Sequence, residues 1–222
     1  TYTLDGSNVD IVIQDSGVEF AHSEFKGTDG VERTVTIDWY SLSGVTGTQN
    51  ANHNRDLDGH GTHCAGIAAG LNYGVAKNAN VYFVKVSGLE GSTDGATGIA
   101  TTDCFDVIKG WHNNKIDNPL TGVPNPTVVN MSWGYLTTYT NASLTAINYR
   151  GTSYTGTDIN TTSKREDDFG LNFNTYSEAG PTYAANLRVL SVDTDVEEMI
   201  DAGIHVTIAA GNRGNKCDVP GG

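Results

Sequence analysis

Four short runs of mostly apolar residues are spread along the chain. They cover residues 9–13 (VDIVI), 81–86 (VYFVKV), 127–131 (TVVNM) and 204–209 (IHVTIA). Their length and their content of β-branched and aromatic side chains are typical of buried β-strands. The first run ends in the sequence QDSG (14–17), which predicts a turn directly after the strand.

Two segments between these runs have the period of an amphipathic helix. In the first, apolar side chains recur at the spacing i, i+3, i+4, i+7, and they are Cys104, Val107, Ile108 and Trp111. The second precedes the last predicted strand, and its apolar face comprises Val192, Val196, Met199 and Ile200. We expect this second helix to begin with a capping box of Thr194 and Glu197 and to end at a Gly203 cap.

Strands separated by helices of this length predict right-handed βαβ crossovers. The expected fold class is therefore α/β, with three layers: a mostly parallel sheet and helices on both of its faces. The stretch at about 135–190 departs from this pattern, because it is rich in Thr, Asn, Gly and Tyr and has no sustained apolar period. We interpret it as a long insertion at the surface, and the alternative is a functional loop over a binding cleft. No convincing boundary marks a separate domain.

Composition excludes some classes of partner. The chain has 222 residues, of which 13 are basic and 26 acidic, so its formal net charge is −13. A surface this acidic argues against nucleic acid or an anionic membrane as the main partner. No apolar run approaches the roughly 18 residues of a membrane span. The three cysteines, Cys64, Cys104 and Cys217, are an odd number, which excludes a pure disulfide scaffold.

Three polar residues lie where a parallel sheet collects catalytic groups, at strand ends or at a helix start. Asp15 ends the first strand, His60 opens the segment HGTHCAGIAAG, and Asn212 follows the last strand. Each also has a structural interpretation: Asp15 as a turn residue, His60 as a packing histidine, Asn212 as a turn cap. A zinc site of His60 and His63 is a further interpretation. No Glu completes a metalloprotease motif there, so no metal ligand is assigned.

Four segments with such residues follow one another along the chain. They are VDIVIQDSGVEFAHSEF (9–25), HGTHCAGIAAG (60–70), VVNMSWG (128–134) and IAAGN (208–212). In this form and order they resemble the subtilases, the subtilisin-like serine peptidases, and the second segment is most similar to the proteinase K branch. The resemblance covers most of the chain apart from 135–190. It implies a subtilisin-like fold.

The resemblance also implies a serine endopeptidase, which hydrolyses peptide bonds with an Asp-His-Ser triad. Asp15 would orient the imidazole of His60 and stabilise its charged form, and His60 would be the general base. Asn212 would donate its side-chain N–H to the oxyanion. The segment Ser132-Trp133-Gly134 would pair with an extended peptide substrate.

Further implications concern the surroundings of this site. Cys64 would lie beneath His60 as a buried thiol rather than act as the nucleophile. Glu24 stands where many subtilases place a calcium-binding carboxylate, so the resemblance implies calcium as a possible cofactor, although one carboxylate alone is not a site. The implied partner is a peptide or protein substrate, and the implied location is extracellular or secreted.

The family's nucleophile lies in a Gly-Thr-Ser-x-Ala-x-Pro motif, which these 222 residues do not contain. The sequence Gly151-Thr152-Ser153 lacks the Ala and Pro and precedes Asn212, so Ser153 is not assigned as the nucleophile. We therefore expect a partial peptidase domain whose partner is the C-terminal remainder of the same domain. That remainder supplies the serine, either in residues that follow Gly222 or on a second chain left by cleavage near Gly222. The alternative is an inactive subtilase-fold module for binding or assembly in a larger particle such as a virion. The presence of the other three catalytic positions favours the peptidase.

Overall fold

A computed structural model describes residues 4–44, 46–86, 99–140, 143–161, 163–177, 180–186 and 189–212. The strands in these ranges are β1 (Asp10–Asp15), β2 (Thr34–Val35), β3 (Asn80–Lys85), β4 (Thr127–Met131), β5 (Leu136–Thr140), β6 (Ala146–Tyr149), β7 (Thr152–Thr155), β8 (Asn172–Ser177), β9 (Gly180–Asn186) and β10 (His205–Ile208). The α-helices are α1 (Trp39–Ser43), α2 (His60–Ala69), α3 (Thr101–Asn113) and α4 (Leu190–Asp201). None of the helices in these ranges combines the length and the apolar character needed to cross a lipid bilayer.

The main sheet consists, in the described part of the chain, of parallel strands in the order β10-β4-β1-β3-β2. The four strands predicted from apolar runs are confirmed as β1, β3, β4 and β10. Strand β1 lies at the centre, and every one of its residues is buried. Strand β2 was not predicted, because two residues are too few to show a period.

Helices cover both faces of the main sheet. On one face α3 packs against α4 and against β3, where Trp111 and Tyr82 have ring centroids 4.4 Å apart. Tyr82 is in register with Val12, an odd number of residues from Asp15, so Asp15 points to the opposite face. Helix α2 covers that face, since a Cβ on Gly61 would lie 3.2 Å from the Asp15 Cβ. The predicted three-layer α/β class is confirmed.

The ends of α4 correct one expectation and confirm another. The helix begins at Leu190, upstream of Thr194, so the predicted capping box is wrong. The Thr194 hydroxyl instead donates to the Leu190 carbonyl oxygen at 3.1 Å, inside the helix. The predicted cap is confirmed, because Gly203 has a φ of +91° and its N–H bonds back to the Ile200 carbonyl. Ile204 completes a Schellman motif.

The chain divides into two compact units. The first comprises Thr1–Ser132 and Leu190–Ile208 and holds the main sheet; the second comprises Trp133–Val189 and Ala209–Gly222. In the second unit, β5, β9 and β8 form an antiparallel sheet, and β6 and β7 form an antiparallel hairpin. Its buried side chains include Tyr183. The stretch at 135–190 thus contains β-structure of its own.

Candidate active site

The strand order of the main sheet creates a crevice at the carboxyl ends of β1 and β4. After β1 the chain forms β2 and β3 on one side of it, whereas β4 and β10 lie on its other side. Ligands of open parallel sheets bind where the strand order reverses in this way. Asp15 is the last residue of β1, and Ser132 directly follows β4. These two candidate residues therefore lie at the crevice.

Asp15 and His60 form the central hydrogen bond of the candidate site. The His60 Nδ1 lies 2.8 Å from the Asp15 Oδ1. Because an ionised carboxylate only accepts hydrogen bonds, we assign the proton to Nδ1, which leaves Nε2 as an acceptor. The backbone N–H of Ser16 donates to the same Oδ1 at 2.7 Å. The fold thus brings together two candidate residues that are far apart in the sequence.

Small residues of α2 allow this contact. A Cβ on Gly61 would collide with the carbonyl oxygen of Gly17, in the turn after β1. Further along the helix, Ala65 and Ala69 are fully buried. A glycine at position 61 therefore lets α2 approach the end of β1 closely enough for His60, its first residue, to reach the carboxylate.

Acidic groups surround His60 and favour its charged form. The hydrogen bond to Asp15 is the largest cause that raises the pKa of His60 above its ordinary value of 6.5. Burial of the ring opposes this effect, and the charges of Asp15, Asp58 and Asp56 add to it. The site therefore stabilises an imidazolium, the species that a histidine becomes when it takes up a proton.

Cys64 lies one helical turn beyond His60, with its Sγ 3.8 Å from the His60 Nδ1. Burial, with a smaller contribution from Asp15, raises the pKa of this thiol, so it stays protonated and a poor nucleophile at neutral pH. The expectation that Cys64 is buried is wrong, since it is half-exposed. The reason is that this face of α2 is open, as the 45% exposure of the His60 side chain also shows.

The remaining predicted site residues, Asn212, Trp133 and Gly134, do not belong to the unit that contains Asp15 and His60. Asn212 follows β10, is exposed and belongs to the second unit. Trp133 and Gly134 begin that unit, between β4 and β5. Their roles stay predictions. Ser153 is an exposed residue of β7, and Cys217 lies outside the described residues.

One carboxylate important to this site was missed by the sequence reasoning. Asp56, four residues before His60, accepts hydrogen bonds from Ser16, Gly59 and Thr62. An Asp shortly before a helix is a signal for an N-terminal cap, and this signal was present. Its bond to Ser16, 40 residues away, has no signal in a single sequence.

The residues of this site that could bind a metal ion include both Asp15 and His60. Among the described residues, Asp15, His60 and Cys64 form the group whose ligand atoms lie within 4.8 Å of one another. His63 belongs to no such group in this part of the chain. In the described part of the chain, no third ligand therefore joins His60 and His63 to form a zinc site.

The surroundings of Glu24 do not fit calcium. Its carboxylate accepts N–H bonds from the backbone and side chain of Asn72, at 2.8 and 2.6 Å, and from the Tyr73 backbone at 3.4 Å. The Lys77 ammonium donates to the carbonyl oxygens of Leu71 and Asn72. Calcium requires about six to eight oxygen ligands. Here the carboxylate faces N–H donors and the loop carbonyls face an ammonium, so Glu24 fastens the loop after α2.

Similarity to known proteins covers most of the chain. The model of the subtilase family matches residues 6–221. The cuticle-degrading serine protease of Arthrobotrys oligospora is 38% identical over 134 residues, which cover 60% of this chain and 27% of that protein. Proteinase R of Parengyodontium album is 34% identical over 137 residues, which cover 60% of this chain and 29% of that protein.

A solved structure, that of the CspB protease of Clostridium perfringens, is 28% identical with a TM-score of 0.41. It covers 60% of this chain and 30% of its own. The chain thus spans less than a third of the length of each of these relatives.

Proposed function

The chain belongs to the subtilase family, and on this premise we propose that it supplies part of the active site of a serine endopeptidase. The observation that carries the proposal is the 2.8 Å hydrogen bond between Asp15 and His60 at the carboxyl end of β1. A histidine whose Nδ1–H is held by a buried carboxylate keeps Nε2 available as a general base. Nucleophilic catalysis by a hydroxyl requires such a base, because a neutral hydroxyl attacks a peptide carbonyl poorly.

Each candidate residue has a defined role in this reaction. His60 takes the proton of a serine hydroxyl as its oxygen attacks the peptide carbonyl, and then gives that proton to the leaving amine. Asp15 holds the tautomer of His60 and stabilises the imidazolium. Asn212 donates a hydrogen bond to the oxyanion. The segment Ser132-Trp133-Gly134 pairs with the backbone of the extended substrate.

The proposal places the attacking serine outside residues 1–222. The family's serine motif does not occur in this sequence, and the similar Gly151-Thr152-Ser153 precedes Asn212. Residues 1–222 are then a partial peptidase domain with an insertion at about 135–190. Its partner is the C-terminal remainder of the same domain.

Substrate and location follow from the reaction class. The protein acts on peptides or proteins, because the triad hydrolyses amide bonds. Relatives named as cuticle-degrading serine proteases support an extracellular site of action. An inactive module for assembly would not need the bond between Asp15 and His60.

The experiment that tests the proposal is active-site labelling of the full-length protein with a fluorophosphonate, which reacts with an activated serine. We expect labelling of the native protein and a loss of about 10⁶-fold in His60→Ala, the size of the loss in kcat when the triad histidine of subtilisin is removed. His63→Ala is the matched control, because His63 is an exposed histidine of the same helix and should leave labelling unchanged.

Native protein that is folded but not labelled would contradict the proposal. Equal losses in the two variants would also contradict it, because they would indicate general damage to α2. Loss of hydrolysis on chelation, with resistance to the fluorophosphonate, would indicate a metal hydrolase instead.

A further inference from the structure

The carboxylate of Asp56 is a junction between the two segments that carry Asp15 and His60. It accepts four hydrogen bonds. Its Oδ1 accepts from the Ser16 hydroxyl at 2.8 Å and from the Gly59 N–H at 2.9 Å. Its Oδ2 accepts from the N–H of Thr62 at 2.8 Å and from the Thr62 hydroxyl at 2.6 Å. Asp56 thereby connects the turn after β1 with the first turn of α2.

Ser16 connects Asp56 with Asp15 and with Gly61, the residue next to His60. Its hydroxyl donates to Asp56 and accepts from the N–H of Gly61 at 2.9 Å. Its own N–H donates to the Asp15 Oδ1 at 2.7 Å. The neighbour of Asp15 in the sequence is therefore bonded to the neighbour of His60, and Asp56 orients the hydroxyl that makes this bond.

Thr62 forms a second connection between the same segments. Its hydroxyl donates to Asp56 and accepts from the N–H of Glu19 at 3.0 Å. The residues before Asp56 add a third, because the N–H of Val18 donates to the Asn54 carbonyl oxygen at 3.0 Å. A shift of α2 relative to the end of β1 would break several of these bonds at once.

Only an ionised carboxylate satisfies these four donors. An asparagine in the same place would present an NH₂ group, itself a donor, to one pair of donors. Burial favours the neutral form of Asp56, but hydrogen bonds from Thr62, Ser16 and Gly59 outweigh burial and lower the pKa of Asp56 below its ordinary value. The junction is therefore intact throughout the neutral range.

We propose that Asp56 is a positioning residue that holds His60 in hydrogen-bond register with Asp15, through Ser16 and the first turn of α2. The expected effect of Asp56 on kcat rests on the proposed peptidase function. Its expected effect on the geometry of Asp15 and His60 does not. Asp56 does not contact the reacting atoms. It acts by fixing the geometry of the pair on which the general base depends.

The kinetic test compares Asp56→Asn with native full-length enzyme on a peptide substrate. We expect kcat to fall about 10- to 100-fold with KM changed less than about twofold, because misplacement of a catalytic group by 1 Å can cost about 10²-fold in rate. The matched control is Glu24→Gln. Glu24 also accepts several N–H bonds, but at the other end of α2, and its substitution should leave kcat unchanged. Equal losses of kcat in the two variants would overturn the inference.

The second test follows the His60 ring by NMR in ¹⁵N-histidine-labelled protein. The groups that face this ring are Asp15 from β1, Asp56 and Asp58 from the loop before α2, and Cys64 from α2 itself. In Asp56→Asn we expect the low-field Nδ1–H signal to broaden or vanish and the pKa of His60 to fall. A sharp, unmoved signal with an unchanged titration would overturn the inference.

The two tests separate this inference from the proposed function. Native protein that does not hydrolyse peptides contradicts the function, and the NMR comparison still decides the role of Asp56. If Asp56→Asn does not fold, Thr62→Val replaces it, because it removes one of the four bonds to Asp56 together with the bond from the Glu19 N–H to the Thr62 hydroxyl. We expect kcat to fall about fivefold in that variant, less than in Asp56→Asn, because three of the four bonds to Asp56 remain. An unchanged kcat and an unchanged His60 signal in Thr62→Val would overturn the inference.

Discussion

Asp15 and His60 differ in their exposure to solvent. The Asp15 side chain is fully buried, whereas the His60 side chain is 45% exposed. The exposed His60 ring exchanges protons directly with solvent. Protonation of His60 is therefore the event that solvent pH controls directly.

We predict that Asp15→Asn lowers the pKa of His60. In the native protein the hydrogen bond to Asp15 is the largest cause that raises this pKa above 6.5, and the substitution removes the charge of that partner. A general base works only in its neutral form, so native activity should rise with pH through the raised pKa. The measurement is an NMR titration of His60 in both proteins. A His60 pKa that is the same in the two proteins would contradict the prediction.

The raised pKa of His60 also affects the stability of the fold, and stability depends on pH in the opposite direction from activity. Because folding raises the pKa of His60, the pair contributes fully to the stability of the fold below the unfolded pKa of about 6.5. This contribution is lost as pH rises through the folded pKa. The pH at which the pair contributes most to stability therefore lies below the pH at which its histidine works as a base.

At the level of elements, the close approach of α2 to the end of β1 requires a glycine at position 61, beside the hydrogen bonds that connect the two segments. We predict that Gly61→Ala lowers the free energy of unfolding by about 1–3 kcal/mol, the usual cost of overpacking. The added Cβ would collide with the Gly17 carbonyl oxygen, a backbone atom that cannot rotate away. Chemical denaturation of the native protein and the variant measures the difference.

Gly66→Ala is the matched control in the same helix. Gly66 has no atom within 4 Å of the position of an added Cβ. Replacing a helical glycine by alanine under these conditions should raise the free energy of unfolding by about 1 kcal/mol. If both variants were destabilised equally, the contact between Gly61 and Gly17 would not be the cause.

Elements whose signal lies in one short window could be predicted from the sequence. Strand β4 coincides with its apolar run at Thr127–Met131, and Gly203 caps α4 as expected. The predicted start of α4 at Thr194 was wrong. The Thr194 hydroxyl donates to the Leu190 carbonyl within the helix instead of capping it, and a sequence does not distinguish these two uses of a threonine. Strand β5 gave little signal, since it alternates exposed and half-buried residues without a fully buried face.

Interactions between distant segments account for what the sequence did not reveal about the site. Asp15 and His60 were candidates because each has a local signal and the family resemblance connects them. Asp56 was not a candidate, because its importance comes from Ser16, 40 residues away. The exposure of Cys64 likewise depends on which surfaces cover α2, and helical spacing does not carry this information.

At the level of the whole molecule, the two edges of the main sheet differ. Strand β2 is an edge of only two residues, and short edges offer little to pair with. Strand β10 is the opposite edge, and in the described part of the chain it pairs with β4 alone. It ends at Ile208, whose side chain is 57% exposed. An edge of this kind is a template for association between copies of the chain.

We therefore predict that residues 1–222, expressed by themselves, self-associate through β10, and that Ile208→Lys weakens this association about tenfold or more. Burial of one isoleucine side chain contributes about 1.5–3 kcal/mol, and 1.4 kcal/mol corresponds to a factor of ten. Sedimentation velocity over a range of concentrations measures the effect. Ile200→Lys is the control, because Ile200 is 54% exposed but lies on α4 rather than on a sheet edge. If the two lysines weakened association equally, general hydrophobicity rather than the β10 edge would be its cause.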